Sequence, residues 1–159
     1  MRVLGLDPGS RTGWAIFDND VYIASGCMTL NEENYKGGGW RYLVFKRKFL
    51  DLLTTYQPEA LVYELVRRHV GTDAAHIWGG LTAVMKMICE EQQIPYTGYE
   101  VKSIKKHFTG TGNASKELMC VTANNKYGTK LDIKAQEDDE ADAIGIAEML
   151  YQDILKIKL

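Results

Sequence analysis

Apolar and polar positions follow two different periods along this chain, and each period predicts one kind of element. Five short apolar runs have the length of a β-strand and lie at 2–7, 13–18, 21–28, 60–65 and 94–99. Longer segments repeat their apolar residues at helical spacing and lie at 40–56, 73–92, 101–108, 114–127 and 138–154. The pattern therefore predicts three consecutive strands, then helices and strands in alternation, and finally three helices in a row.

This order predicts a mixed α/β sheet with helices on its faces. The first three strands are close in sequence and are expected to form an antiparallel meander, with a tight turn at Asn19–Asp20. The polar segment 31–39 holds three consecutive glycines and predicts a loop, and Asn113 is the expected N-cap of the helix at 114–127. A length of 159 residues without a linker fits a single domain spanning residues 1–159.

The amino-acid composition indicates an ordinary globular protein. Hydrophobic residues make up 45% and charged residues 25% of the chain, which are ordinary globular values. Cys27, Cys89 and Cys120 are far apart and form no C-x-x-C pair. A disulfide framework or zinc site is therefore not expected, and a cytoplasmic location fits best. Met1 leads directly into a predicted core strand rather than a signal peptide, and no apolar stretch reaches the roughly 20 residues of a membrane span.

Net charge alone leaves a nucleic-acid partner undecided. The net charge is −2 and the pI about 5.9, whereas nucleic-acid-binding domains are often basic. The basic residues nevertheless cluster at 46–48, 67–69 and 102–107, and the acidic residues cluster at 137–142. The distribution of charge therefore matters more than its sum.

Three separate segments carry acidic residues in unusual settings. Asp7 ends a predicted buried strand just before Pro8–Gly9, and Glu64 lies in the otherwise apolar strand ALVYEL. Asp139 and Asp142 are three residues apart at the start of a predicted helix and therefore share one face. Each residue alone also suits a simpler role: a turn cap, an exposed strand edge, or an acid favoured by a helix N-terminus.

Taken together, these carboxylates indicate a metal site. Carboxylates that converge on one end of a sheet repel one another unless a cation lies between them. Oxygen ligands suit Mg²⁺ or Mn²⁺. Two such ions about 3.5–4 Å apart can activate a water molecule and stabilise the leaving oxygen of a phosphodiester. The acids therefore predict metal-dependent hydrolysis of nucleic acid.

Four motifs of the chain resemble those of one known family, and they occur in that family's order. They are GLDPGSRTGWA at 5–15, VYE at 62–64, GTGNASKE at 110–117 and DEADAIGIA at 139–147. The family is that of the RuvC-type Holliday junction resolvases, members of the ribonuclease H-like superfamily. The resemblance spans about residues 1–150, and the acidic pI would suit a phage-type member.

This resemblance implies a ribonuclease H-like fold, in which helices flank a mixed five-stranded sheet. It implies an endodeoxyribonuclease that uses two Mg²⁺ ions per site, with Mn²⁺ able to substitute, and no nucleotide cofactor. The implied activity is the resolution of four-way and other branched DNA junctions by paired nicks. A homodimer would carry it out in a bacterial cell or phage-infected host, with helix 73–92 as the dimer surface. The implied catalytic and metal-binding residues are Asp7, Glu64, Asp139 and Asp142.

Two departures from the family pattern bear on the site. The family often carries an aromatic residue near position 67, where this chain has Arg67 and Arg68. Strict junction or sequence selectivity is therefore not implied. Asp138 lies beside Asp139 and would shift the ligand assignment by one residue; the spacing to the apolar residues of the last helix favours Asp139.

Basic residues near these motifs are candidate DNA contacts. Lys116 lies in the first turn of a predicted helix, where the helix dipole disfavours a cation, so a contact with DNA phosphate is the expected reason. The other candidates also suit a solvated surface. The full set of predicted DNA contacts is Arg67, Arg68, Lys102, Lys105, Lys106 and Lys116.

Three alternative functions remain open on the sequence alone. The GLDPGS segment also resembles the phosphate-binding turn of sugar kinases and actin-like ATPases, although those proteins need two such domains. A nuclease of the same fold could act on RNA, for example in ribosomal RNA processing. A third alternative is a module that binds junctions without cutting them.

Overall fold

The computed structural model describes residues 1–30 and 37–158. The strands and helices of these two ranges follow the predicted order, with one short 3₁₀ helix added. They are β1 (Arg2–Asp7), β2 (Arg11–Asp18), β3 (Val21–Thr29), α1 (Trp40–Tyr56), β4 (Ala60–Leu65), α2 (Thr72–Gln92), β5 (Tyr96–Glu100), α3 (Val101–Thr109), α4 (Lys116–Tyr127), the 3₁₀ helix (Ile133–Ala135) and α5 (Asp138–Lys158).

The strands form a mixed sheet in the order β3-β2-β1-β4-β5. The first three strands pair antiparallel, which confirms the predicted meander. β4 runs parallel to β1, and β5 runs parallel to β4. Leu6 of β1 lies opposite Tyr63 of β4, so the next residues along, Asp7 and Glu64, lie at or next to the ends of neighbouring strands at the same edge of the sheet.

Each face of the sheet is covered by its own set of helices. Alternate residues of a strand point to opposite faces. Accordingly, Val3 joins a core formed with α3, α4 and α5, whereas Leu4 joins a core formed with α1 and α2. Both residues are fully buried. The period-two pattern of β1 therefore places one helix layer on each side of the strand that ends in Asp7.

Two glycines allow α5 to lie directly on the main chain of the sheet. A Cβ atom added to Gly13 would lie 1.8 Å from the carbonyl oxygen of Asp139, and one added to Gly5 would lie 2.6 Å from that of Ala143. Gly13 is itself the pairing partner of Asp7 on β2. The absence of side chains at these glycines therefore brings the first turns of α5 over the end of β1.

The start of α4 differs from the prediction. Asn113 was expected to cap this helix, but the helix begins at Lys116 and its N-cap is Ser115, whose hydroxyl accepts from the N–H of Leu118 at 3.1 Å. Asn113 lies instead in a turn that the N–H of Ala114 closes by donating to the carbonyl of Thr111. Of the predicted loop at 31–39, residues 31–36 lie outside the described residues.

None of the helices in the described ranges is both long and apolar enough to cross a membrane.

Candidate active site and nucleic-acid interface

The structure brings the four predicted carboxylates together from three elements. Asp7 ends β1, Glu64 lies near the end of β4, and Asp139 and Asp142 lie in the first turns of α5. The side chains of Asp7 and Glu64 are in hydrogen-bonding contact, and the charges of Asp139 and Asp142 act on Asp7. The acids predicted from sequence therefore form one cluster at the carboxyl ends of the two central parallel strands.

Burial, together with repulsion from neighbouring acids, raises the pKa values of Asp7, Asp139 and Asp142. Burial is the largest cause of a pKa well above the usual range at Asp7, followed by the hydrogen bond and charge of Glu64. Burial also raises the pKa of Asp142 to about 7; the charge of Glu64 adds to this effect and that of Lys105 opposes it. The pKa of Asp139 is raised mainly by burial. Full ionisation of the cluster is therefore unfavourable unless a further positive charge lies among the four acids.

The chemistry of the cluster fits a hard divalent cation. Its donors are carboxylate oxygens, the ligands that Mg²⁺ and Mn²⁺ prefer. The charge of Glu64 raises the pKa of Asp7, and a cation between the two carboxylates would offset this repulsion. Within 1–30 and 37–158, no group of three or more His, Cys, Asp and Glu side chains is already arranged as a metal-ligand set. Binding therefore requires these acids to turn toward a common ion.

Arg11 lies beside the acidic cluster, although sequence reasoning did not single it out. Its Nε lies 3.4 Å from Oδ2 of Asp139, and its Nη2 donates to the carbonyl of Gln136 at 2.8 Å. The charge of Arg11 lowers the pKa of Asp139, against the effect of burial. Arg11 begins β2, the strand that returns alongside Asp7, but no local pattern in the sequence indicates its contact with α5.

Asp138 and Asp139 have different partners. The carboxylate of Asp138 is 8% exposed and lies 2.6 Å from Nζ of Lys116, whereas Asp139 faces Arg11. Among the causes of the raised pKa of Asp7 is the charge of Asp139. The charges of Asp138 and Asp139 both raise the pKa of Asp142. The geometry therefore favours Asp139 over Asp138 as a member of the cluster around Asp7.

All the predicted DNA contacts except Lys106 fall into two groups. Lys105 shares a small cavity with Glu64 and Asp142, and Lys116 lies at the edge of the acidic cluster. The second group lines a groove beyond the end of β4, which we call the basic groove: Arg67, Arg68 and Lys102, together with Leu65, Val66, Glu100 and Val101.

Two of the predicted DNA contacts, Arg67 and Lys106, differ from the others in their surroundings. Arg67 is 72% exposed and forms an ion pair with Glu100 at 2.7 Å. Lys106 is exposed on α3 but does not line the basic groove. Exposed ion pairs are weak, so Arg67 can exchange Glu100 for a phosphate at low cost. Arg67, Arg68 and Lys102 therefore lie together in one groove beyond the end of β4, whereas Lys106 lies outside it.

An aromatic pair that sequence reasoning missed lies next to the turn that follows Asp7. The rings of His69 and Trp78 are 5.3 Å apart between centroids and tilted by 51°. Both residues line a cavity with the turn that follows β1. Trp78 carries no signal of its own in the sequence, because its position on α2 suits an ordinary core residue. The chain thus has aromatic side chains near the site, although position 67 is basic.

The family model described as "Crossover junction endodeoxyribonuclease RuvC" matches residues 3–149. The chain belongs to the RuvC family. Crossover junction endodeoxyribonuclease RuvC of Vibrio vulnificus is 30% identical over 150 residues, which cover 91% of this chain and 83% of that protein. The RuvC of Francisella philomiragia is 30% identical over 156 residues, which cover 95% and 88%.

Solved structures show the RuvC fold in this chain. The structure titled "T. thermophilus RuvC in complex with Holliday junction substrate" matches with a TM-score of 0.77 at 21% identity, covering 93% of this chain and 91% of that one. The predicted ribonuclease H-like fold, with its mixed five-stranded sheet, is therefore confirmed. Membership of the RuvC family likewise confirms the predicted class of enzyme, a crossover junction endodeoxyribonuclease.

Proposed function

We propose that this RuvC-family chain resolves four-way and related branched DNA junctions by metal-dependent hydrolysis of phosphodiester bonds. The observation that carries the proposal is the convergence of four acids, three of which, Asp7, Asp139 and Asp142, have pKa values that are raised mainly by burial. Such a cluster is costly to the metal-free fold and suits a site that binds cations. The residues proposed to hold the metal are Asp7, Glu64, Asp139 and Asp142.

Mg²⁺ is the proposed metal, with Mn²⁺ able to replace it and two ions per site. When bound, such ions supply an activated water molecule and stabilise the leaving oxygen. The chain's own residues set the conditions for this chemistry. Burial of Asp7 and Asp142 limits competing water, and the contact of Arg11 with Asp139 orients one acid from the side of β2.

DNA binding must overcome the negative charge of the acids. Lys105 and Lys116 lie next to the cluster, and the basic groove continues from the end of β4. Cations in these places lead a phosphate backbone toward the acids even though the net charge of the chain is −2. Arg67 and Arg68 contact the junction in this proposal, and Lys106 contributes only at long range.

Paired nicks require two sites, and we propose that a homodimer supplies them. A single domain made of residues 1–159 would hold one complete acidic cluster in each copy. The proposed dimer surface is the outer side of α2, where Ala83 and Met87 are exposed four residues apart. Met87 is 63% exposed, and Leu43 on the neighbouring α1 is 57% exposed. Large apolar side chains exposed on adjacent helices fit an interface with a second copy.

The proposal is tested with a labelled synthetic four-way junction, a matched linear duplex and an RNA–DNA hybrid. Each substrate is incubated with Mg²⁺, with Mn²⁺ and with a chelator. Asp7→Asn removes one acid of the cluster, and Asp51→Asn on the exposed side of α1 is the matched control. Symmetric nicks in the junction alone, lost in chelator and in Asp7→Asn but kept in Asp51→Asn, are the expected result.

Other outcomes would change the proposal. Cutting of the hybrid alone would move the substrate to RNA while keeping the acidic cluster as the active site. Junction binding without any cutting in either metal would make the chain a binding module. Equal cutting by Asp7→Asn and the wild type would show that the acids are structural.

A further inference from the structure

An ion pair connects the start of α4 to the start of α5. Nζ of Lys116, the first residue of α4, lies 2.6 Å from Oδ2 of Asp138, the first residue of α5. The Asp138 side chain is 8% exposed and that of Lys116 is 67% exposed. A buried carboxylate thus holds the end of a side chain that is otherwise free in solvent.

This pair determines where the ammonium group of Lys116 lies. A lysine has a flexible four-carbon stem, and the dipole at a helix N-terminus disfavours its charge. Lys116 nevertheless lies near the acids. The hydrogen bond to Asp138 raises the pKa of Lys116, and the charges of Asp138, Asp139 and Asp142 raise it further. Without Asp138, neither the helix nor the stem would keep the ammonium in this place.

Asp138 is itself held in place by the packing of α5. The next residue, Asp139, has its carbonyl against Gly13 at a distance that would exclude a Cβ atom. This contact fixes the main chain at the start of the helix. The carboxylate of Asp138 is directed to Lys116, and the charges that act on Asp7 are those of Glu64, Asp142 and Asp139. Asp138 thus has a rigid backbone and a partner outside the acids around Asp7.

We propose that Asp138 is a positioning residue, which holds the Lys116 ammonium at the rim of the acidic cluster where the DNA phosphate arrives. The inference rests on the proposed junction cleavage and adds a residue that acts through another. It also gives Asp138 a role other than that of metal ligand. The ion pair links the first residues of two helices, Lys116 and Asp138, which are 22 positions apart in the sequence.

A double-mutant cycle tests this proposal. The variants are Asp138→Asn, Lys116→Met and the double variant, each measured in single turnover with the protein in saturating excess over the junction and with saturating Mg²⁺. Asp138→Asn is expected to slow cleavage about 10-fold, within the range that one misplaced group costs. It should bind the junction no more weakly than the wild type, because it removes a negative charge near the DNA. The double variant should cleave no more slowly than Lys116→Met, since the two residues act as one unit.

Two controls separate positioning from other roles. Lys156→Met removes a lysine whose partner, Asp153, lies at the far end of α5, and it should leave the rate unchanged. Asp139→Asn should raise the Mg²⁺ concentration needed for half-maximal cleavage, whereas Asp138→Asn should not. Thermal denaturation in chelator checks that each variant is folded.

The results that would overturn the inference are distinct from those that would overturn the function. Losses that multiply in the double variant would show that Asp138 and Lys116 act independently. An increased Mg²⁺ requirement in Asp138→Asn, equal to that of Asp139→Asn, would make Asp138 a ligand instead. Wild-type protein that leaves the junction uncut in both metals would reject the proposed function, and with it the role of Asp138 in cleavage.

Discussion

Replacing Asp142 with asparagine should stabilise the metal-free protein while abolishing cleavage. In the folded chain, burial and the charge of Glu64 raise the pKa of Asp142 from 3.8 to about 7. A carboxyl group with a raised folded-state pKa destabilises the fold as it ionises. The stability of the metal-free protein should therefore fall as the pH rises from about 4 to about 7.

The size of the effect follows from the same pKa. A rise from 3.8 to about 7 corresponds to about 4 kcal/mol of unfavourable free energy once the group is charged. Asparagine keeps the shape of the side chain but loses the favourable interaction of the carboxylate with the charge of Lys105, so the expected gain is about 2 kcal/mol. For a chain of this length, that gain raises the melting temperature by about 4–8 °C.

Thermal denaturation in chelator at pH 7.5 and pH 5 measures this gain. Asp142→Asn should melt above the wild type at pH 7.5, and the difference should shrink at pH 5, where the aspartate is already protonated. Added Mg²⁺ should raise the melting temperature of the wild type more than that of the variant. If Asp142→Asn melted below the wild type in chelator at pH 7.5, the proposed repulsion among the acids would be refuted.

Three further predictions concern the frame of the site and its DNA contacts. Gly13→Ala should destabilise the fold by about 3 kcal/mol or more in urea denaturation, because its Cβ atom would overlap the main chain of α5. Gly79→Ala is the control: a Cβ atom there would have no neighbour within 4 Å, so this variant should not be destabilised. Ser115→Ala should cost about 1 kcal/mol in the same measurement through the lost N-cap, and an equal or larger loss in Asn113→Ala would contradict the observed start of α4. Junction affinity should fall steeply with salt, and Arg68→Met should reduce the slope of log K against log salt by about 0.9; an unchanged slope would remove this residue from the interface.

The order of elements was predictable because burial follows the period of apolar residues. In β1, Val3 and Leu4 point to opposite faces of the sheet and pack into two separate cores. The apolar residues that recur at helical spacing in α1 and α2 pack into one of these cores, with Leu4. Glu64 was recognisable because an acid is expensive in a buried strand. The topology then placed it beside Asp7, since the ends of adjacent parallel strands meet at one edge.

The partners of the charged residues were not predictable in the same way. Arg11 meets Asp139 across more than a hundred positions, and no local pattern indicates that contact. Asp138 and Asp139 are adjacent and chemically identical, and only the fold gives one of them to Lys116. The choice between Asn113 and Ser115 as N-cap had a local cause, because both residue types cap well and the turn at Thr111 decides which one does.

The contact of α5 with Gly5 and Gly13 means that main-chain atoms, not side chains, set the separation between helix and sheet at the acids. A separation set in this way cannot be adjusted by exchanging one apolar side chain for another. The opposite core, where Phe45 and Phe49 of α1 stack on each other, lies on the other face of the sheet. Substitutions can therefore accumulate in that core with little effect on the acids, whereas a single added methyl group at Gly13 would displace Asp139 and Asp142 together.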